Sequence, residues 1–221
     1  MDERLLLKAQ ARDALSGKWW TAILVAAIAA IVGGLGYTVF PDLSWKIPLS
    51  QDIPLTETFR ISFKNGIFGI SALILGGVLD LGYSQFANKM LDKQEAGVSD
   101  LTSQFQRFGD GFLQQLLRRI FVALWSMLFV IPGIIAHYSY AMTPYIMLDQ
   151  PELTPSQAIA ESKEMMKGHK ADLFILHLSM LGWAILSVLT LNLGFLALNP
   201  YIKLSEAAFY RQLTTHKNTQ L

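Results

Sequence analysis

Residues 113–149 read LQQLLRRIFVALWSMLFVIPGIIAHYSYAMTPYIMLD, and this stretch decides the fold class. It carries no charged residue between Arg119 and Asp149. A helix that crosses a bilayer needs about 20 apolar residues, so the stretch is too long for one crossing. Pro132-Gly133 interrupts it, and proline ends or kinks a helix because it lacks an N–H donor and its ring collides with the preceding turn. The break is therefore either a turn between two spans or a kink within one long span.

Three further stretches have the length and composition of membrane spans. Residues 19–40 contain no charged side chain, and residues 67–86 contain only Asp80. Residues 173–198 contain His177 as their one ionisable side chain, and a turn near Gly194 would begin a further span. The chain then crosses six times, or four times with a Pro-kinked long third helix. The spans of the six-crossing interpretation are 19–40, 67–86, 113–131, 133–148, 173–191 and 195–210.

The distribution of basic residues distinguishes the two topologies, because lysine and arginine accumulate on the cytoplasmic side of membrane proteins. With six crossings and a cytoplasmic N-terminus, 15 of the 18 basic residues lie inside, and only Lys46, Arg60 and Lys64 lie outside. With four crossings, residues 150–170 move outside and the division becomes 12 against 6. We therefore predict six crossings, with residues 1–18 and the C-terminus both in the cytoplasm.

The composition agrees with an all-α, polytopic transmembrane helix bundle that forms one membrane domain over residues 1–221. Apolar residues make up 52% of the chain and charged residues 16%, against about 25% charged in soluble domains. The net charge of +1 and the lack of a basic, aromatic-interleaved patch give no reason to expect nucleic acid as a partner. The chain has no cysteine, which excludes disulfides and thiolate chemistry.

Residues 154–168 have the pattern of a short amphipathic helix on the cytoplasmic surface. Thr154 and Gln157 form a capping box around Pro155, and Gly168 suits the C-terminal cap. This pattern predicts a helix that lies along the inner leaflet, with one side turned to the membrane or the bundle and a basic side turned to lipid headgroups. The apolar side carries Ile159, Met165 and Met166, and the basic side carries Lys163 and Lys167.

Most of the chain resembles a known bacterial family. The resemblance is carried by LWSMLFVIPGIIAHYSYAMTPYIMLDQPELTPSQAIAESKEMMKGHKADLFILHLSMLGWAIL at 124–186 and by NPYIKLSEAAFYRQL at 199–213. RDALSGKWWTAILVAAI at 12–28 and FQRFGDGF at 105–112 are also similar to the pattern of that family. The family is catalogued as domain of unknown function 975. The resemblance implies a multi-pass protein of the bacterial cytoplasmic membrane, mostly of Gram-positive bacteria, without an established molecular activity.

Asp80 is the main candidate site residue, because an ionisable side chain inside a membrane is costly unless it pairs with another charge or meets water. Gly69, Gly76, Asp80 and Tyr83 share one helical face, which we expect to turn inward. One interpretation is a buried ion pair, and the other is proton or substrate handling. The candidate ligand or ion-pair residues are Asp80, Arg118, Arg119, Lys203 and Glu206.

His137 and His177 do not predict a metal site. On the six-crossing topology the two residues lie at different depths, and neither has a second ligand at i+3 or i+4. The small residues Ala22, Ala26, Ala30 and Gly34 recur every four positions in the first span. Small side chains at this spacing allow close helix packing, either within the monomer or in a homo-oligomer.

Two functions remain open from the sequence. No Ser/His/Asp arrangement, glycine-rich phosphate loop or paired carboxylates indicate an enzyme or a cofactor. We expect a non-enzymatic membrane protein that binds a lipid, a hydrophobic ligand or a membrane partner. The alternative is a small transporter or permease-like subunit in which Asp80 is the coupling residue. A cavity that reaches Asp80 would favour the alternative, and dry packing around it would favour the first.

Overall fold

The computed structural model describes residues 3–33, 74–190 and 193–219, and these residues form helices and turns without a β-strand. The parts of the first two predicted spans at 34–40 and 67–73, Gly69 and the loop at 41–66 lie outside the described residues. Phe105–Arg107 forms a short 3-10 helix. The α-helices are α1 (Glu3–Leu15), α2 (Trp19–Gly33), α3 (74–91), α4 (Ser99–Thr102), α5 (Phe108–Leu128), α6 (Val130–Ser139), α7 (Thr143–Asp149), α8 (Pro155–Met165), α9 (Lys170–Leu178), α10 (Leu181–Leu189) and α11 (Phe195–Thr219).

Helices α5 and α6 form a tight hairpin, so the long apolar stretch turns instead of continuing through a kink. The turn residue is Phe129, whose backbone is extended at φ −160° and ψ 152°. Pro132 lies in the first turn of α6, where a backbone N–H has no partner within the helix and proline is therefore tolerated. A Cβ atom added to Gly133 would lie 2.9 Å from Ser126 Cα. Glycine thus lets the two helices meet backbone to backbone.

Helices α10 and α11 approach each other in the same way. A Cβ atom on Gly194 would lie 2.7 Å from Ser187 Cα, and the N–H of Gly194 donates to Thr190 Oγ1 at 3.1 Å. The serine and the glycine are seven positions apart in both hairpins. The break predicted near Gly194 is therefore also a turn.

The second arm of the α5–α6 hairpin does not continue as one helix. It is interrupted between Ser139, where α6 ends, and Thr143, where α7 begins. Ser162 on α8 satisfies the two backbone groups that this break leaves: its hydroxyl donates to Ser139 O at 2.9 Å and accepts from Met142 N at 3.2 Å. All these atoms are buried, where an unpaired backbone group is costly. The side chain of Ser162 therefore holds α6 and α7 at their observed angle.

Helix α8 begins as the sequence predicts and ends three residues earlier, at Met165. Gln157 N donates to Thr154 Oγ1 at 3.4 Å, and Thr154 N donates to Gln157 Oε1 at 2.9 Å. Gly168 adopts a φ of +84°, which glycine accepts without strain. Ile159 and Met166 are buried against the bundle and Met165 is half-buried.

One helical segment of the described residues, Lys170–Leu189, is long and apolar enough to cross a membrane by length and composition. Large apolar side chains are nevertheless exposed on the surfaces of both hairpins. Met127 is 83% exposed, Phe129 73% and Leu189 75%. The exposed set on α5, α6, α9 and α10 includes Ile120, Leu124, Trp125, Met127, Phe129, Ile131, Ile134, Ile135, Phe174, Leu178, Trp183, Ile185, Leu186, Val188 and Leu189.

Candidate functional site

Close packing of α3 against α5 places Asp80 inside the bundle. A Cβ atom on Gly111 would lie 2.8 Å from Val78 Cα, so only glycine allows this approach. Asp80 follows this contact on α3, and Arg118 lies two turns further along α5. Asp80 could be picked out from the sequence because it is the one charged residue of its predicted span. Its position inside the bundle depends on the contact of Gly111 with Val78, which the sequence does not show.

Asp80 contacts two cations. Lys203 Nζ lies 2.7 Å from Asp80 Oδ1, and Arg118 Nη1 lies 3.5 Å from Oδ2. The side chains of Asp80, Lys203 and Arg118 are 8%, 12% and 19% exposed, so solvent screens these contacts weakly. Arg119 is placed on the exposed side of α5, and Arg118 is the arginine that faces Asp80.

Glu206, the fifth candidate, pairs with a histidine. Glu206 Oε1 lies 3.2 Å from His177 Nε2, and the Tyr138 hydroxyl lies 3.3 Å from His177 Nδ1. The side chains of His177 and Glu206 are 10% and 16% exposed. Helices α6, α9 and α11 thus contribute one member each to a buried polar row beside the Asp80 cluster.

A cavity of about 70 Å³ lies between the Asp80 ion pairs and the His177–Glu206 contact. A cavity needs roughly 10–15 Å³ to hold one water molecule, so this one accommodates a few waters or a small solute. The hydroxyl of Tyr83 and Asp80 Oδ2 are buried without a hydrogen-bond partner among the described residues. The residues that line it are Ala26, Ala29, Ala30, Asp80, Tyr83, Arg118, His137, Ala141, His177, Asn199, Ile202, Lys203 and Glu206.

Two tyrosines hold the Lys203 side chain and backbone in place. The Nζ atom lies 5.8 Å from the Tyr83 ring centre and 5.2 Å from the Tyr145 ring centre, within range of a cation–π interaction. The Tyr145 hydroxyl donates to Lys203 O at 3.2 Å. The sequence interpretation missed the role of Tyr145, although Pro144-Tyr145-Ile146 and Pro200-Tyr201-Ile202-Lys203 both contain the element Pro-Tyr-Ile.

The prediction that His137 and His177 lie at different depths is wrong, because both line this cavity. Their depths were counted from predicted span starts at 133 and 173. In the structure α6 begins at Val130 and α9 at Lys170, and His137 and His177 lie in the last turns of these two helices, at the same cavity. Among the described residues, no group of three histidine, aspartate or glutamate side chains could hold a metal ion.

The predicted surface helix has its apolar side on protein. Ile159 packs with Ala136 and Tyr140 of α6, and Met165 and Met166 contact the main core. Lys163 and Lys167 are exposed. Lys167 Nζ lies 2.6 Å from Glu164 Oε2, and this hydrogen bond lowers the pKa of the Glu164 carboxyl.

The cavity has the chemistry of a polar binding site. Asp80 and Glu206 supply two carboxylates, while Lys203 and Arg118 supply two fixed cations. These four side chains contribute two negative and two positive charges. The arrangement can therefore bind water or a small polar solute without leaving an unpaired charge, which would be costly in a low-dielectric interior.

Comparison with known proteins gives one family match. Residues 127–217 match the model of the family described as Protein of unknown function (DUF975). The match confirms the resemblance predicted from the sequence, and it includes Lys203, Glu206 and both histidines of the cavity. No curated protein and no solved structure matches the chain.

Proposed function

We propose that the chain is a multi-pass integral membrane protein of the bacterial cytoplasmic membrane that binds a small polar solute in the buried cavity. It acts without catalysis. Support for a membrane location comes from the exposed apolar side chains of both hairpins, such as Trp183 at 62% and Ile131 at 71% exposed. A soluble monomer rarely exposes apolar patches larger than a few hundred Å², whereas lipid covers such a surface.

The proposed topology has six crossings, with both termini and residues 150–170 in the cytoplasm. The distribution of basic residues supports this orientation, because 15 of 18 then lie on one side. The turns at Phe129 and near Gly194 support hairpins over the four-crossing alternative. In this arrangement α8 lies at the inner surface, with Lys163 and Lys167 toward anionic headgroups.

The observation that carries the binding function is the polar cavity at Asp80. Ionisable side chains within membrane spans are rare, and they mark solute or ion pathways when they line a cavity. The balanced charges of the lining favour a neutral or zwitterionic polar solute over a single ion. A bundle with a purely structural ion pair would pack this face without a cavity.

Transport is the second candidate function, and the same cavity favours it over a purely structural role. Asp80 would be the coupling residue, since it lies between a lysine and an arginine that a bound solute can displace from it. Binding of a lipid, a hydrophobic ligand, a second copy or a membrane partner through the exposed apolar surface is compatible with both candidates.

Single cysteines test the binding function in this cysteine-free chain. Ala30 lines the cavity, and Ala136 is 5% exposed in a separate apolar cluster. In membranes, Ala30→Cys should react with small charged methanethiosulfonate reagents, and the control Ala136→Cys should not. Polar solutes that bind in the cavity should slow the reaction of Ala30→Cys. Equal, negligible labelling of both variants would show a dry interior and would contradict the proposal.

A further inference from the structure

A second concave site lies on the opposite side of α11, away from the polar cavity. It is a groove of about 480 Å³ between α10, α11 and the start of α2, within the usual size range of ligand sites. Its apolar walls include Trp183 and Leu186, both at least half exposed, over a floor that contains the buried Leu198. It extends from Arg12 and Trp19 to the turn between α10 and α11.

Two hydroxyl groups of the groove donate hydrogen bonds to backbone carbonyls of α10. Ser187 Oγ donates to Trp183 O at 2.8 Å, and Thr190 Oγ1 donates to Ser187 O at 2.9 Å. These hydroxyls therefore leave the wall along α10 effectively apolar. An acyl chain is the occupant that such a wall fits, because it needs no hydrogen bonds.

One end of the groove is cationic. Arg12 is exposed, and its guanidinium is in hydrogen-bond contact with Tyr201. Among the described residues it is the only charged one that lines the groove. Trp19 lies beside it, and tryptophan is enriched at the headgroup level of membranes. The end of the groove at Arg12 thus has the composition of a headgroup site.

The helix that carries Arg12 adds further positive charge on the same side. Arg4, Lys8 and Arg12 recur at four-residue spacing on α1, which places them on one face of the helix. Lys8 Nζ lies 3.5 Å from Ser179 O, at the junction of α9 and α10. Partial burial and the nearby charge of Arg4 lower the pKa of Lys8. This face therefore runs toward the α9–α10 segment that forms one wall of the groove.

We infer that the groove binds one anionic phospholipid of the inner leaflet, with its phosphate at Arg12 and one acyl chain between α10 and α11. The inference rests on the proposed membrane location and is independent of the polar cavity. Basic residues between membrane helices on the cytoplasmic side bind anionic headgroups, each worth about 1 kcal/mol. A zwitterionic lipid with the same chains would fill the groove but gain less from Arg12.

Bromine quenching of Trp183 tests this inference. The full chain, with Trp19 replaced by tyrosine to keep an interfacial aromatic side chain in the groove and its other tryptophans except Trp183 replaced by phenylalanine, is placed in phosphatidylcholine nanodiscs. These nanodiscs contain increasing fractions of brominated phosphatidylglycerol or brominated phosphatidylcholine. Phosphatidylglycerol should reach half-maximal quenching at a clearly lower fraction. Arg12→Gln should raise that fraction about fivefold, which corresponds to one headgroup contact. Ala197→Phe, which fills the groove, should weaken quenching by both lipids.

Lys163→Gln is the control for headgroup attraction outside the groove, because Lys163 is an exposed cation of α8 that does not line the groove with Trp183. It should leave the quenching curves unchanged. Equal quenching by the two lipids, or no effect of Arg12→Gln, would overturn the inference. Reversal by excess inorganic phosphate would show a phosphate site instead of a lipid site. Failure of the chain to enter nanodiscs at all would contradict the membrane location, which is a different result.

Discussion

Lys203 on α11 and Asp80 on α3 are 123 positions apart in the chain, and Lys203 Nζ lies 2.7 Å from Asp80 Oδ1. Arg118 approaches the other carboxylate oxygen from α5. This one carboxylate therefore joins three helices that are well separated in the sequence. Because Lys203 and Arg118 are only 12% and 19% exposed, the loss of Asp80 leaves two poorly solvated cations without their counter-charge.

The first prediction is that Asp80→Asn lowers stability by about 3–5 kcal/mol, the usual effect of removing one partner from a buried ion pair. Thermal unfolding of the detergent-solubilised protein measures this. Adding Lys203→Gln to Asp80→Asn should recover part of the loss. Asp92→Asn is the matched control, because its partner Arg211 is 38% exposed and such pairs contribute about 1 kcal/mol or less.

The same variant distinguishes the two functional candidates. If Asp80 mainly holds the helices around the cavity and the protein binds its solute without transporting it, any cellular phenotype of Asp80→Asn should follow the amount of protein in the membrane, and this is the result we expect. Normal abundance with complete loss of the phenotype would instead make Asp80 a coupling residue for transport.

The second prediction concerns the α5–α6 hairpin. Gly133→Ala should destabilise the protein by about 1–3 kcal/mol, because its Cβ would overlap the Ser126 backbone and side chain. Ser126→Gly should restore part of the loss by removing the side-chain part of the overlap. Gly182→Ala is the control, since its added Cβ meets no atom within 4 Å. Equal thermal midpoints for both alanine variants would mean that the helices do not meet at this glycine.

The third prediction concerns the break between α6 and α7. Ser162→Ala should cost about 1–3 kcal/mol, because Ser139 O and Met142 N would lose a buried hydrogen-bond partner. Ser156→Ala, on the exposed side of α8, should change the thermal midpoint little. If the two variants unfold at the same temperature, Ser162 does not stabilise the break.

Local rules were sufficient for some of these features. The start of α8 followed from Thr154, Pro155 and Gln157, because a capping box depends on residues within one helical turn. Pro132-Gly133 located the hairpin to within a few residues, although the turn residue is Phe129. The choice of a turn over a kink rested on the distribution of basic residues, because the local contact of Gly133 with Ser126 cannot be read from the sequence.

Other features depend on contacts between distant residues. The break after Ser139 is satisfied by Ser162, which lies on another helix, so no local pattern predicts it. Lys203 was one of several cations that could reach Asp80, and only helix packing selects it together with Arg118 over Arg119. The pairing of His177 with Glu206 was missed because only the packing of α9 against α11 brings the two residues together.

The six-crossing arrangement is the central claim, and cysteine labelling in intact cells tests it most directly. Single cysteines are introduced at Asp52, Gln157 and Asn218 of the cysteine-free chain, and a membrane-impermeant thiol reagent is added from outside. We predict that only the cysteine at position 52 reacts, and that the other two react after the cells are permeabilised. Labelling of position 157 from outside in intact cells would contradict the six-crossing topology.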